Sequence, residues 1–380
     1  MNKVLFVLKR KDNFNAVVDS HVGVSTGLYN SASFMNNMLN DSGIESKMVV
    51  VPDNNAIDRE VTAYRPTHVI IEALWVVPEK FIILSKLHPT VTWIIRLHSE
   101  MPFLAGEGMA MDWIGEYASF KNIVIAANAP RMLSEVRFFL QCKNGWTDEK
   151  TNSKVIYFPN YYPTDFVQKP YMAADKEFID IGCFGAVRPL KNHMLQAFAS
   201  LKFADKIGKK LRFHINSGRL EMKGEPVLNN LRGLFQHLAE KGHVVISHGW
   251  THRDDFLLLC AQMDIGMQVS FSETFNIVGA DFISQGVPLL GSSEIPWSSN
   301  TFNSDPTSSD DICQKLMLTH NNANKNIEQH QGLLTKYVSE TQGIWQEYFK
   351  GERNERTSQE TSCKDTQLGR WSIKYITSRI

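Results

Sequence analysis

The stretch Ser270–Trp297, SFSETFNIVGADFISQGVPLLGSSEIPW, predicts a short helix that runs into a turn and then into a strand. Apolar side chains recur at three-residue steps, as on one face of a helix, at Ile277, Ala280 and Ile283. Ser272 and Thr274 are suitable N-caps, and Gly286 followed by Pro288 is a suitable stop. The apolar run after this stop predicts a buried strand.

The same stretch carries two carboxylates, Glu273 and Asp281, a little over two helical turns apart. Backbone N–H groups at the start of the helix, from Phe275 through Asn276 to Ile277, can cradle phosphate oxygens. A carboxylate is a poor neighbour for phosphate but a good acceptor for sugar hydroxyls. The segment therefore predicts a site for a nucleotide that bears a sugar.

The rest of the chain alternates short β-rich runs with helical patterns. The runs of the first half are KVLFVL, SKMVVV, THVIIEA, VTWIIRL, NIVIAA and KVIYF, and those of the second are FIDIGCFG, LRFHIN, HVVISHG, DIGMQVS and VPLLG. This alternation predicts an α/β fold with two successive Rossmann-like domains, residues 1–162 and 163–350. We expect the polar tail, residues 351–380, to dock its last segment on the protein or to contact an anionic partner.

The composition is that of an ordinary globular protein, and it excludes several classes of function. The 380 residues include 40 basic and 40 acidic side chains, so no overall charge attracts nucleic acid or an anionic membrane. Five widely spaced cysteines fit neither a disulfide framework nor a zinc site. Without a signal-peptide pattern or a sufficiently long apolar run, we expect a cytoplasmic protein with no membrane span.

A second segment, IGCFGAVRPLKNH, brings two cations to the end of a strand. The strand reaches Gly185, and Arg188 and Lys191 follow at the mouth of the next helix. Ligands of open α/β sheets bind at the carboxyl ends of strands, where two cations and a helix start suit a diphosphate. Alone, this segment favours a capped helix with solvated charges; together with the Ser270–Trp297 helix it favours the diphosphate.

In this order, GAVRPLKN, VVISHGWTHRDDFLLLCAQMDIGMQVS and SETFNIVGADFISQGVPLLGS resemble the C-terminal half of GT-B glycosyltransferases, of the retaining E-x7-E type in the family 4/1-like group. The resemblance covers residues 178–297 and implies two Rossmann-like domains whose parallel sheets face a central cleft. It implies that Arg188 and Lys191 hold the donor diphosphate and that Glu273 lies by the donor sugar. Asp281 would bind the nucleotide ribose, although the family has Glu there.

The resemblance extends to the first domain and to the nucleotide base. Gly23 and Gly27 match the glycine loop of GT-B enzymes, where a backbone without Cβ approaches the ligand. His98 follows a strand at the point where related folds touch the donor sugar or the acceptor, and a structural role is its alternative. Trp250 lies where the base is usually recognised, and a buried structural Trp is its alternative. The donor is expected to be UDP-linked.

The sequence leaves several classes of acceptor open. RLHSEMPFLAGEGMAMDW and the compact length resemble glycosyltransferases of tailed bacteriophages, some of which act on hydroxymethylated pyrimidines of phage DNA. On that hypothesis a phosphate-tracking surface would include Lys9, Arg10, Lys11, Arg131, Arg137 and Lys143. Residues 1–162 carry no excess of basic residues, so a cell-surface glycan, a protein or a small molecule remain alternatives.

The reaction expected from the resemblance needs no metal and no bound cofactor. Arg188, Lys191 and helix dipoles neutralise the leaving diphosphate, and the chain lacks metal-ligand spacing, a nucleophile elbow and a Walker motif. Two other functions stay open: a catalytically silent nucleotide-sugar binding protein, and an epimerase of GT-B shape. The combination of Arg188, Lys191 and Glu273 favours an enzyme that transfers sugar.

Overall fold

The computed structural model describes residues 2–9, 27–167 and 176–351, and their strands form two parallel sheets. The strands of the first sheet are β1 Lys3–Lys9, β2 Glu45–Val51, β3 His68–Glu72, β4 Thr92–Leu97, β5 Ile123–Ala127 and β6 Val155–Tyr157. They lie side by side in the order β2-β1-β3-β4-β5-β6, and each neighbouring pair is parallel. Their carboxyl ends therefore lie along one edge of the sheet.

The second sheet has the same character. Its strands are β7 Phe178–Val187, β8 Lys210–Leu220, β9 Val244–His248, β10 Ile265–Gln268 and β11 Leu289–Gly291. They lie in the order β11-β10-β7-β8-β9, again with parallel neighbours. The predicted α/β architecture with two parallel sheets is confirmed.

Helices connect the strands in both halves. Those of the first half are α1 Gly27–Asp41, α2 Ile57–Tyr64, α3 Lys80–Leu87, α4 Met101–Leu104, α5 Ala110–Tyr117, α6 Pro130–Asn144 and α7 Asp148–Lys154. Those of the second half are α8 His193–Lys206, α9 Gly224–His237, α10 Arg253–Cys260, α11 Ile277–Ser284, α12 Ser309–Asn321 and α13 Ala323–Lys350. Within the three described ranges, no helix combines the length and the apolar character needed to cross a bilayer.

Strand β1 shows why these apolar runs become central strands. Alternate side chains of a strand point to opposite faces, so a strand covered on both faces must be apolar throughout. Leu5 and Val7 belong to the core on one face of the first sheet, whereas Val4 and Phe6 belong to the core on the other. All four are fully buried.

Helix α11 starts later than the sequence predicts. Neither Ser272 nor Thr274 is its cap; the cap is Asn276, whose side chain accepts a hydrogen bond from the Gly279 N–H at 2.8 Å. Asn276 has φ of 63°, a left-handed conformation that Asn adopts more readily than Ser or Thr. As a consequence, Glu273 lies in the loop before α11 and not on the helix.

The last helix, α13, packs on both halves of the chain. Leu334 and Val338 belong to a core of the second half, whereas Trp345 and Phe349 belong to the core on one face of the first sheet. The Trp345 indole N–H donates to the Pro159 carbonyl at 3.0 Å. The ranges 1–162 and 163–350 stay predicted domains, and α13 is the element that joins their cores.

Candidate active site

A cavity of about 260 Å³ lies between the two sheets, at the carboxyl ends of their strands. It is lined by eleven of the twelve site residues predicted from the sequence: Gly27, His98, Gly185, Arg188, Lys191, Trp250, Glu273, Phe275, Asn276, Ile277 and Asp281. The twelfth, Gly23, lies outside the described residues. Residues that are far apart in sequence therefore share one cavity.

Lys191 and Glu273 form an ion pair in the wall of this cavity. The Lys191 Nζ lies 2.5 Å from Glu273 Oε1, and the two side chains are 12% and 8% exposed. Burial alone would raise the pKa of Glu273, but the neighbouring charges of Lys191 and Arg188 outweigh it and hold that pKa below its usual range. Glu273 is therefore a carboxylate at neutral pH.

Arg188 contacts both sides of the cleft. Its Nη1 donates to Glu221 Oε2 at 3.1 Å, and its guanidinium lies 4.8 Å from the ring centroid of Phe103 in the first half of the chain. Glu221 and Arg219 also line the cavity, and neither is among the site residues predicted from the sequence. Both come after the apolar run LRFHIN, Arg219 inside β8 and Glu221 directly after it, and a charged pair that follows such a run is the signal that could have pointed to them.

Gly185, near the end of β7, shapes the path of the chain towards α8. Its φ of 110° is a conformation that other residues rarely adopt, and the register of β7 against β8 shifts between Cys183 and Ala186. The Gly185 N–H donates to Asn216 Oδ1 at 3.0 Å. This irregular strand end leads the chain to Arg188 at the cavity.

The first turns of α1 and α11 meet at the cavity. A Cβ added to Gly27 would lie 3.3 Å from Ile277 Cγ2, so the two chain segments approach closely there. The N-terminal ends of helices carry partial positive charge and unpaired N–H groups, which favour anions. The arrangement suits a negatively charged ligand between the two helix starts.

Asp281 is engaged inside the protein as well as lining the cavity. It is 2% exposed, accepts a hydrogen bond from the Tyr162 hydroxyl at 2.9 Å and lies 2.8 Å from Arg253 Nη1. Burial raises the pKa of Asp281 against the opposing effects of Arg253 and Tyr162. A ribose hydroxyl at Asp281 would have to share its oxygens with these two partners.

His98 belongs to a buried cluster in the first half of the chain. Glu72 is fully buried and accepts a hydrogen bond from His98 Nε2. Both of its carboxylate oxygens also accept from Arg96 Nη1, each at 3.2 Å. Arg96 also donates to the carbonyl oxygens of Phe158 and Pro159, each at 3.1 Å. Glu72 is not among the site residues predicted from the sequence, because its partners depend on the pairing of β3 with β4.

The histidine of this cluster is neutral. Burial and the positive charge of Arg96 lower the pKa of His98, and the opposing effect of Glu72 does not compensate. With Nε2 bonded to Glu72, Nδ1 is the ring nitrogen left for a ligand. The cluster therefore holds a neutral imidazole at the cavity wall.

Hydrogen bonds cross the cleft beside His98. The Thr274 hydroxyl donates to the His98 carbonyl at 3.2 Å and accepts from Asn128 Nδ2 at 3.1 Å. Further along, Arg131 of α6 forms ion pairs with Glu100, which follows β4, and with Glu294, which follows β11. These contacts link the two sheets on the side of the cavity where α6 begins.

Trp250 lines the cavity on the side of the second sheet. The Arg219 guanidinium lies 5.3 Å from the centroid of its ring. A Cβ on Gly218 would lie 3.2 Å from the Trp250 backbone nitrogen, so the last residues of β8 pack directly on the chain after β9. Contact of Trp250 with a nucleotide base stays a prediction.

The basic residues predicted for a DNA surface are only partly available. Arg10 and Lys11 lie outside the described residues, and Lys9 and Lys143 are exposed. Arg131 is engaged with Glu100 and Glu294, as described above. Arg137 donates twice to the Val155 carbonyl, at 3.1 and 2.9 Å, and so joins α6 to β6.

Three solved structures are similar to this one, and each is covered almost completely. The UDP-forming α,α-trehalose-phosphate synthase from Burkholderia xenovorans has a TM-score of 0.66 and 10% sequence identity, over 92% of this chain and 98% of that chain. Sucrose-phosphate synthase from Thermosynechococcus elongatus has a TM-score of 0.62 and 10% identity, over 92% and 100%. HepE from Anabaena, in complex with UDP and glucose, has a TM-score of 0.60 and 13% identity, over 93% and 100%.

No protein-family model and no curated protein matches the sequence. At 10–13% identity the structural likeness shows the fold, which is the GT-B fold of these glycosyltransferases. The predicted fold is thereby confirmed from a second direction.

Proposed function

We propose that this protein is a retaining glycosyltransferase that uses a UDP-sugar as its donor. The observation that carries the proposal is the joint presence of Arg188, Lys191 and Glu273 in one cavity between the two sheets, beside two helix starts. The neighbours of this fold include a UDP-forming synthase and a protein solved with UDP and glucose. A binding protein without activity would have no need of all three charged side chains.

In the proposed reaction the bond between the anomeric carbon and the diphosphate breaks, and the acceptor oxygen bonds the same face of that carbon. The acceptor proton leaves with the diphosphate. Arg188 and Lys191 stabilise the charge that develops on the leaving group, in a site where preorganised donors have most effect. Glu273 accepts hydrogen bonds from the sugar hydroxyls, and no metal is needed because the two cations supply the neutralising charge.

We assign His98 to the reacting end of the donor or to the acceptor hydroxyl. A neutral imidazole held by Glu72 can form a hydrogen bond with a hydroxyl. It does so without adding positive charge to the side of the cleft that the first half of the chain forms. Asp281 is proposed to reach the ribose with the oxygen positions that Tyr162 and Arg253 leave open. Trp250 is the candidate for the base.

For the acceptor, the first hypothesis to test is hydroxymethylated pyrimidine in phage DNA, and it rests on the sequence resemblance alone. The contacts that Arg131 and Arg137 already make with other groups of the protein do not support it. A surface glycan, a protein or a small molecule are the alternatives. The rate of sugar transfer to DNA would fall steeply as the salt concentration rises, whereas the rate of transfer to a neutral saccharide would hardly change.

The deciding experiment incubates the protein with hydroxymethylcytosine DNA and a mixture of nucleotide-sugars, followed by mass spectrometry of the digested nucleosides. Arg188→Ala is the inactive control. A hexosyl or pentosyl mass increment that the control lacks supports both donor and acceptor. Nucleotide release from one donor without an increment keeps the glycosyltransferase and discards DNA, and no release from any donor contradicts the proposed function.

A further inference from the structure

Two arginines face one carboxylate at the wall of the donor cavity. Glu221 Oε2 accepts from Arg188 Nη1 at 3.1 Å, and Glu221 Oε1 forms a short ion pair with Arg219 Nη2. The three side chains line the same cavity, and each is about one-fifth exposed. A ligand that enters the cavity can therefore reach all three.

The backbone holds Glu221 against Arg188. The Glu221 N–H donates to the Val187 carbonyl, one residue before Arg188, at 3.0 Å. The next two residues, Met222 and Lys223, both have positive φ, at 44° and 67°, which L-residues rarely adopt. A Cβ on the following Gly224 would lie 2.0 Å from the Val187 carbonyl oxygen. Such strained backbone at a cavity wall is a feature of functional sites.

A guanidinium carries five N–H donors, more than the contact with Glu221 uses in either arginine. Arg188 Nε is buried and has no hydrogen-bond partner among the described residues. Arg219 is oriented by the ring of Trp250 at 5.3 Å, so its planar fork has a defined direction. A phosphate group accepts from two guanidinium groups in the same way as a carboxylate does.

We propose that Arg219 is a third phosphate-binding cation of the donor site, and that Glu221 occupies the position of a phosphate when no nucleotide is bound. This inference rests on the proposed function, because its ligand is the diphosphate of the donor. The diphosphate displaces Glu221 and bridges Arg188 and Arg219, while Lys191 binds from the other side. Glu221 returns to the arginines when UDP leaves, and so assists product release.

The test is calorimetric titration of UDP and of uridine into the wild type and into Arg219→Met, Arg219→Lys and Glu221→Gln. Arg219→Met is expected to weaken UDP binding roughly tenfold or more, the usual effect of losing a hydrogen bond between charged groups. The UDP affinity of Arg219→Lys should lie between those of the wild type and Arg219→Met, because lysine keeps the charge but loses the planar fork of donors. Glu221→Gln is expected to tighten UDP binding several-fold, because it removes a competing anion. Uridine, which has no phosphate, should bind all variants alike.

Matched controls are Arg232→Met and Glu240→Gln, exposed residues of the same half of the chain. Thermal unfolding of each variant shows whether it is folded.

The sign of the Glu221→Gln effect separates a phosphate-mimicking Glu221 from a purely structural one, since changing a purely structural Glu221 would weaken UDP binding. The inference is overturned if the wild type binds UDP and the folded Arg219 variants bind it equally well, or if Glu221→Gln weakens it. If the wild type binds neither UDP nor ADP, GDP or dTDP, the proposed function fails, and this inference fails with it.

Discussion

The two walls of the cleft each hold a carboxylate paired with a cation, but they differ in how accessible these charges are. In the first wall Glu72 and Arg96 are fully buried, and Arg96 is tied to the backbone where the chain crosses to the second sheet. In the second wall Lys191 and Glu273 are 12% and 8% exposed. A ligand can take over the partners of the second pair but not those of the first.

This difference separates two uses of the same chemistry. A buried ion pair broken on one side leaves an uncompensated charge, which is strongly destabilising. A pair at a cavity wall can exchange one partner for a substrate oxygen. We therefore expect changes in the first wall to act on stability and on the orientation of His98, and changes in the second wall to act on catalysis.

The largest expected effect is that of Glu72→Gln. Because Arg96 then keeps its charge without a carboxylate, the free energy of unfolding should fall by about 3–5 kcal/mol. Urea denaturation measures this. The control is Glu45→Gln, an exposed partner of Lys3, which should change stability by less than about 1 kcal/mol. Equal losses for the two variants would show that the walls do not differ in this way.

Lys191→Met is expected to act on turnover. Removing one preorganised donor to the leaving group should lower the rate of UDP release from the donor by roughly 10² to 10³. Its stability loss should be smaller than that of Glu72→Gln. Lys202→Met, an exposed change on α8, is the control and should leave the rate unchanged. A normal rate in Lys191→Met would place the leaving group elsewhere.

The loss of stability at acid pH should also depend on Glu72 of the first wall. Burial raises the pKa of Glu72, but Arg96 and His98 outweigh burial, so its pKa in the folded state lies below the usual 4.5. A carboxyl with a depressed pKa contributes stability above the unfolded pKa and loses it as pH falls through the folded value. Below pH 4.5 the wild type should therefore lose stability, by up to about 1.4 kcal/mol per pH unit from this group.

Unfolding in urea at a series of pH values between 3 and 7 measures that slope. Glu72→Gln should give a flatter curve than the wild type below pH 4.5, and Glu45→Gln should follow the wild type. Parallel curves for the wild type and Glu72→Gln would contradict a depressed pKa at Glu72.

Asp281→Asn tests the second carboxylate of the opening motif. If Asp281 accepts from a ribose hydroxyl, the wild type should bind UDP several-fold more tightly than 2′-deoxy-UDP, and the variant should lose most of that preference. Calorimetric titration of both nucleotides measures it. An unchanged preference would restrict Asp281 to its bonds with Tyr162 and Arg253.

The smallest effect is expected at the outer contact between the walls. Glu294→Gln leaves Arg131 paired with Glu100 and should cost less than about 1 kcal/mol of stability, because the Arg131 side chain is 49% exposed. Urea denaturation is again the measurement. A loss as large as that of Glu72→Gln would mean that this contact, and not the buried cluster, holds the walls together.

Local patterns were enough for the sheets and for much of the cavity. Most strands contain an apolar run, and the parallel strands of one sheet end at the same edge, so Arg188, Lys191 and Glu273 could be placed together from the sequence. The start of α11 could not, because the cap of a short helix depends on the backbone conformation of Asn276. Thr274, one of the two predicted caps, forms hydrogen bonds across the cleft instead.

Residues defined by partners from distant elements were also missed. Glu72 stands opposite Arg96 in the register of β3 and β4, and that register is not visible in either strand alone. Arg219 and Glu221 belong to the site because β8 continues to Leu220, past the point where the apolar run LRFHIN stops. A glutamate inside an otherwise apolar strand run is the signal that could have singled out Glu72.

The last helix has a practical consequence for work with separate domains. Because Trp345 stacks on Phe158 with ring centroids 4.1 Å apart, a recombinant fragment that ends at residue 162 would expose an aromatic groove to solvent. A fragment starting at residue 163 would carry the complementary aromatic side chains unprotected. Both pieces should aggregate when expressed alone, and co-expression should restore a soluble pair. The unit for cloning is therefore a chain that contains both halves together with α13, not either half alone.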